Sequence, residues 1–182
     1  MKKYNKVMMQ TAELFAQQSY AKRRKVGAVL AKDGRILATG YNGTISGKIN
    51  LCEEFSPYKN QELKKDDEII SCPACHNGKI QSEAMYSVED KTCPYCEGMG
   101  KLVLHNKTNQ FTVHAEQNII TYCAKRGIST DKSSLYITLS PCKDCAKLIV
   151  QSGIMNVYYK ELYKKEGLKF LEECGVNTIQ VK

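Results

Sequence analysis

Long apolar runs are missing from this chain of 182 residues. A bilayer-spanning helix needs roughly 20 consecutive apolar residues, and no stretch offers that, so the sequence predicts no membrane partner. The start, Met1-Lys2-Lys3-Tyr4-Asn5, is basic. Gln10, Thr11, Glu13, Gln17 and Gln18 follow it where a secretory signal would place an apolar block. The expectation is a cytoplasmic protein. Acidic residues are also in short supply, 19 against 27 Lys and Arg, for a net charge of +8. That balance fits an anionic partner such as a nucleotide or nucleic acid. Most of the basic residues are scattered, however, and read as solvated surface.

Cysteine, by contrast, is plentiful at nine residues. Six fall in Cys-x-x-Cys pairs: Cys72/Cys75, Cys93/Cys96 and Cys142/Cys145. The odd total and the paired spacing argue against a secreted disulfide framework and for metal binding in a reducing compartment. Cys52, Cys123 and Cys174 stand alone and are expected to be small buried side chains.

The hydrophobic pattern predicts a helix over 4–19, with Val7, Met8, Thr11, Leu14 and Phe15 at three- and four-residue steps. Residues 25–31 and 35–40 are apolar runs flanking Asp33-Gly34, a strong hairpin signal. Residues 41–60 read as loop, and 69–111 as a polar insertion. A helix is expected over 113–126, with Ala115, Ile119, Tyr122 and Cys123 on one face. A strand at 135–139 follows, then a helix opened by Pro141 and running to about Gln151. A strand at 154–159, a helix at 164–174 and a strand at 176–181 complete the chain. The alternating second half implies parallel strands joined by crossover helices. The predicted fold is α/β: three α/β/α layers around a mixed five-stranded sheet. It is one domain over 1–182, with a zinc-ribbon-like insertion at 69–111.

Two segments carry chemistry. His114-Ala115-Glu116 and Pro141-Cys142-Lys143-Asp144-Cys145 each begin a predicted helix. The partial positive charge of a helix start favours thiolates. His114, Cys142 and Cys145 supply three soft ligands for a catalytic zinc and leave a fourth position for water. Glu116 is then free to move protons. His-x-Glu followed by Pro-Cys-x-x-Cys is the established signature of zinc nucleobase deaminases, so this assignment is a motif match. Each half alone is weak; the two together are specific.

The segments RRKVGAVL (23–30), DGRILATGYNG (33–43), VHAEQNII (113–120) and LYITLSPCKDCAKLIVQSGI (135–154) resemble the phage and bacterial deoxycytidylate (dCMP) deaminases of the cytidine deaminase-like superfamily. The resemblance covers nearly all of the chain outside about 55–110. It implies hydrolysis of dCMP to dUMP and ammonia, supplying dUMP for thymidylate synthesis, with Glu116 carrying protons to N3 and the leaving amino group. It places Asn42 against the sugar 3′-hydroxyl, although Asn42-Gly43 also reads as a plain turn. It places the N–H of Ala115 and the carbonyl of Ser140 at the pyrimidine edge. It further implies a homo-oligomer, possibly a hexamer, activated by dCTP and inhibited by dTTP, with Mg2+ accompanying the effector. If the gene is a phage's, the compartment is the host cytoplasm.

A nucleotide monophosphate needs cations. Lys22, Arg23, Arg24 and Lys25 cluster before the first strand, with Arg23 and Lys25 as candidate contacts. Lys125 stands where some phage relatives carry a substrate-selecting Arg; it and Arg126 also suit a helix C-terminus. Tyr159 and Tyr163 match tyrosines near the nucleotide in relatives, though a strand tyrosine is as often core. Ile45 replaces the Pro of the family's Gly-Tyr-Asn-Gly-x-Pro-x-Gly loop. In the insertion, Cys72, Cys75, Cys93 and Cys96 have zinc-ribbon spacing and predict a closed structural zinc. CPACHNGK and CPYCEGMGK also resemble each other. His76 is an alternative ligand, and His105 has no evident partner. Deamination of dCTP or a modified dCMP remains an alternative. So does a tRNA adenosine deaminase, although Asp144 stands where those enzymes carry Met. A zinc-stabilised binding module would have no use for Glu116.

Overall fold

The computed structural model describes residues 3–80 and 91–181, so the middle of the expected insertion, 81–90, and the first two residues of the basic start lie outside the described residues. The elements run α1 (Lys3–Ala16), β1 (Gly27–Lys32), β2 (Arg35–Tyr41), β3 (Gly43–Thr44), β4 (Glu53–Pro57), β5 (Glu68–Ser71), β6 (Lys79–Ile80), β7 (Lys91–Thr92) and β8 (Lys101–Thr108). There follow β9 (Thr112–Val113), α2 (Ala115–Arg126), β10 (Ser134–Leu139), α3 (Lys143–Gln151), β11 (Asn156–Glu161), α4 (Lys165–Glu173) and β12 (Asn177–Gln180). They form two compact units, one of Met1–Gly43 with Val113–Lys182 and one of Thr44–Thr112. No helix among the described residues is long and apolar enough to cross a membrane.

The first unit is built on a five-stranded sheet in the order β12-β11-β10-β1-β2. β10, β11 and β12 are parallel; β1 runs antiparallel to both β10 and β2. Asp33 and Gly34 take φ of 52° and 75°, the left-handed pair that a two-residue hairpin requires. β1 is buried along nearly its whole length, as its unbroken apolar run demands of a central strand. Successive side chains feed opposite layers. Ala28, Leu30, Leu135, Ile137 and Val157 pack with Ile119, Ile149 and Leu171 of α2, α3 and α4. Val29, Ala31 and Tyr136 pack with Met8, Met9 and Ala12 of α1. This is the expected mixed sheet between helical layers.

In the second unit β4, β8 and β5 form an antiparallel sheet in that order, and β6 pairs with β7. Leu51, Leu102 and Leu104 are buried with Cys72, Cys93 and Cys96. The loop expected over 41–60 therefore contains strands, and the polar insertion contains the eight-residue β8. His105 has partners after all: its Nδ1 lies 3.1 Å from Asp67 Oδ1 and its Nε2 3.0 Å from Ser56 Oγ, which ties β8 to β4 and to the residue preceding β5. Three smaller expectations are corrected. Tyr122 is exposed rather than core-facing. Cys174, at the end of α4, is exposed, whereas Cys52 and Cys123 are buried as expected. The helix after β10 begins at Lys143 with Cys142 as its N-cap, so Pro141 precedes the helix rather than opening it.

Candidate active site and metal centres

Strand register gathers the catalytic segments at one end of the five-stranded sheet. Gly27 pairs with Tyr41, Ala28 with Ile137, and Leu139 with Glu161. The start of β1 and the ends of β2, β10 and β11 therefore lie side by side. Cys142 and Cys145 leave the end of β10. His114 is the N-cap of α2, and its backbone N–H donates to Gln117 Oε1 at 2.9 Å. That reciprocal cap fixes the His backbone. Its signal in the sequence is Gln117, three residues after the cap.

His114 Nδ1 lies 3.4 Å from Cys145 Sγ and 3.7 Å from Cys142 Sγ. A tetrahedral zinc with Zn–S near 2.3 Å and Zn–N near 2.05 Å sets such a nitrogen–sulfur edge at roughly 3.6 Å, so the three donors fit the ion. Their electrostatics agree. The Cys145 S–H and the His114 imidazole hold Cys142 down at about 3, and burial opposes them. The Cys142 sulfur and burial push Cys145 well above the ordinary thiol range. His114 is raised, chiefly by its contact with Cys142. The trio thus holds one ionised sulfur readily and resists a second, a conflict that a central divalent cation removes.

Glu116, in the first turn of α2, is only 4 % exposed and is not among the donors that group as a metal site. Burial pushes its carboxyl up to about 7, against the pull of its own backbone N–H and of His114. A carboxyl near neutrality beside an open metal position can both take and give a proton. Ala115 is fully buried in the same turn. Ser140 is buried at the end of β10; its N–H donates to the Glu161 carbonyl and its Oγ accepts from the Tyr163 N–H, both at 2.8 Å.

The other expected substrate residues are placed unevenly. Asn42 leaves the end of β2, and its side chain is engaged with backbone: Oδ1 accepts from the Val26 N–H at 2.8 Å and Nδ2 donates to the Arg24 carbonyl at 2.9 Å. Arg23 and Lys25 are exposed on the segment leading into β1. Tyr159 is half-buried against the main core. The structure does not bring Lys125 to the metal donors: it stands in the last turn of α2, about 15 Å along the helix from Ala115 at 1.5 Å per residue.

The second unit holds another donor group. Cys72, Cys75, Cys93 and Cys96 place their sulfurs within 4.8 Å of one another. Cys72 Sγ and Cys93 Sγ are 3.8 Å apart, and Cys75 Sγ and Cys96 Sγ 3.6 Å. A ZnS4 tetrahedron has edges of roughly 3.8 Å. The similarity of the two knuckle sequences appears as reciprocal bonding: the Cys72 N–H donates to the Gly100 carbonyl and the Cys93 N–H to the Gly78 carbonyl. Burial works against the Cys93 thiolate, but the N–H groups of Cys96 and Tyr95 hold it down at about 7. His76 is exposed and outside the group.

The model of the cytidine and deoxycytidylate deaminase zinc-binding region matches residues 2–161. The chain belongs to this deaminase family. The deoxycytidylate deaminase of Enterobacteria phage T2 is 35% identical over 181 residues, covering 96% of this chain and 90% of that protein. ComE operon protein 2 of Bacillus subtilis is 30% identical, over 98% of this chain and 71% of its own length. The crystal structure of the dCMP deaminase of cyanophage S-TIM5 in complex with dCMP and dUMP superposes with a TM-score of 0.68 at 33% identity, covering all of this chain and 98% of that one. The architecture is therefore the cytidine deaminase-like fold, and the chain is a zinc-binding hydrolytic deaminase.

Proposed function

We propose that this deaminase converts dCMP and water to dUMP and ammonia, supplying dUMP for thymidylate synthesis. The observation that carries the reading is Glu116, a buried carboxyl beside three metal donors that do not use it. A purely structural centre has no role for such a group. His114, Cys142 and Cys145 would hold the catalytic zinc, and the ion when bound would acidify water toward neutrality. Glu116 accepts a proton from the water and delivers protons to N3 of the base and to the departing amino group. The Ala115 N–H and the Ser140 carbonyl orient the pyrimidine edge. Asn42 lies at the sugar, with Arg23, Lys25, Lys125 and Tyr159 as the remaining nucleotide contacts.

The whole chain acts as one catalytic domain, and the inserted segment 69–111 carries a structural zinc on Cys72, Cys75, Cys93 and Cys96. Control by dCTP with Mg2+ and by dTTP, in a homo-oligomer of up to six chains, belongs to the same reading. A substrate panel of dCMP, dCTP, cytidine and tRNA, followed by ammonia release with and without added dCTP and Mg2+, tests it. Turnover of dCMP above all others is the expected result. Preference for tRNA or dCTP overturns the substrate, and indifference to dCTP as effector overturns the regulation.

A further inference from the structure

We infer that Ser56, His105 and Asp67 form a second reactive centre, in which Ser56 is a nucleophile toward the acyl group of a small activated ester. The inference goes beyond the deaminase reading. All three residues belong to the second unit, whereas His114, Glu116, Cys142 and Cys145 belong to the first.

Sheet register assembles the trio. β4, β8 and β5 are neighbours in that order, so His105 lies on the central strand and Ser56 on an edge strand. Glu68, the first residue of β5, pairs with Leu104, which sets Asp67 across from His105. Ser56 Oγ lies 3.0 Å from His105 Nε2, and His105 Nδ1 lies 3.1 Å from Asp67 Oδ1. Pro57 holds the preceding Ser56 in extended backbone. The Tyr58 N–H, donating to the Lys101 carbonyl at 3.2 Å, fastens the chain just beyond it.

The proton positions follow from the acid. Burial raises the Asp67 carboxyl, but the Lys64 N–H and His105 outweigh it and hold the group below the usual carboxylate range. An ionised carboxylate only accepts. Its Oδ2 accepts from the Lys64 N–H at 3.2 Å, and its Oδ1 accepts from His105 Nδ1–H. A neutral imidazole protonated at Nδ1 carries its lone pair on Nε2, the atom that faces the Ser56 hydroxyl. The Ser56 O–H therefore donates to Nε2. Acid, base and nucleophile stand in the order by which an oriented imidazole activates a serine, an arrangement defined by geometry and roles and not by sequence position. Exposure follows the same order. The Asp67 side chain is 7 % exposed and that of His105 33 %, and Ser56 is half-buried. The acid is shielded, while the base and the nucleophile can be reached.

In the reaction, His105 Nε2 takes the Ser56 proton as Oγ bonds to the ester carbonyl carbon. The ester C–O bond breaks, and the departing aryloxide leaves with the electron pair and takes that proton. Water then gives a proton to Nε2 and attacks the acyl carbon. The carboxylic acid is released, and the proton returns to Ser56 Oγ. The net change is ester and water to carboxylic acid and phenol. An amide would also need oxyanion donors and protonation of a poor leaving group. An aryl ester needs only the nucleophile and its base.

The test treats the zinc-loaded full chain with p-nitrophenyl acetate and maps the product by peptide mass spectrometry. Wild type should release p-nitrophenol and carry an acetyl group on Ser56. Phenylmethylsulfonyl fluoride should modify the same residue and slow the release. His105→Gln should slow Ser56 acetylation on the order of 10²- to 10⁴-fold, and Asp67→Asn should slow it too. Ser56→Ala should remove the adduct from that peptide and keep the wild-type turnover of dCMP. Melting temperature and zinc content show that each variant is folded, and the sulfonyl fluoride arm needs no variant. A wild type that acquires neither adduct on Ser56, or a folded His105→Gln acetylated there at the wild-type rate, overturns the inference and leaves the deaminase reading intact.

Discussion

The proposed chemistry rests on four side chains with separable duties. His114, Cys142 and Cys145 converge as donors, and Glu116 is buried beside them without joining the group. Glu116→Gln keeps the volume and the hydrogen-bonding capacity but removes the group that titrates. It should lower kcat on dCMP by at least about 10²- to 10⁴-fold, with zinc content unchanged by metal analysis. Appreciable turnover in that variant, or loss of its zinc, would show that the carboxyl does something else. These four residues were legible in the sequence because a metal centre at two helix starts leaves short local patterns. The contacts of the basic run 22–25 were not legible in the sequence. The Arg24 carbonyl is bonded by Asn42 and its guanidinium lies over Tyr163, both far along the chain. Lys125 lies on the expected helix, in its last turn and away from the metal donors at its start.

At the scale of elements, the placement of Cys142 depends on how α4 meets the start of α3. A Cβ added to Gly167, in the first turn of α4, would lie 2.1 Å from the Pro141 carbonyl oxygen. The atoms it would meet, of Pro141 and Cys142, are all backbone and cannot swing aside. Gly167→Ala gains helix propensity, yet the overlap forces α4 away from the segment that delivers Cys142 and Cys145. The variant should lose about 1–3 kcal/mol of stability and lower its catalytic zinc occupancy. A melting temperature equal to wild type with full zinc would refute the close-contact argument. The alternation of strands and helices after residue 113 was readable because each element carries its own periodicity. β4 and β8 were not, for a physical reason. β4 reads Glu-Glu-Phe-Ser-Pro with a buried Glu53, and β8 ends in Asn106-Lys107-Thr108. Their pairing rests on tertiary contacts around the cysteine cluster, which local strand preference does not report.

Across the whole molecule, the two units are stabilised by different means. The first has two apolar clusters, one on each face of its sheet, drawn from every helix and most strands. The second, residues 44–112, has one small cluster in which Cys72, Cys93 and Cys96 account for half of the six buried members. Segments below about 70–80 residues rarely gain enough from an apolar core alone and need a staple. When the staple is a metal, its binding free energy is folding free energy. Under the proposed two-zinc reading, a chelator strong enough to strip both ions should therefore act unequally. Hydrogen exchange should show the amides of β8 losing their protection, while those of β1 and β10 keep theirs. Cys93→Ser should lower the zinc-to-protein ratio from two toward one, expose β8 to exchange and leave the catalytic zinc in place. Unchanged β8 protection in the metal-free chain would mean that the four cysteines close a site the fold does not need, and a ratio near one in the wild type would mean that they hold no zinc.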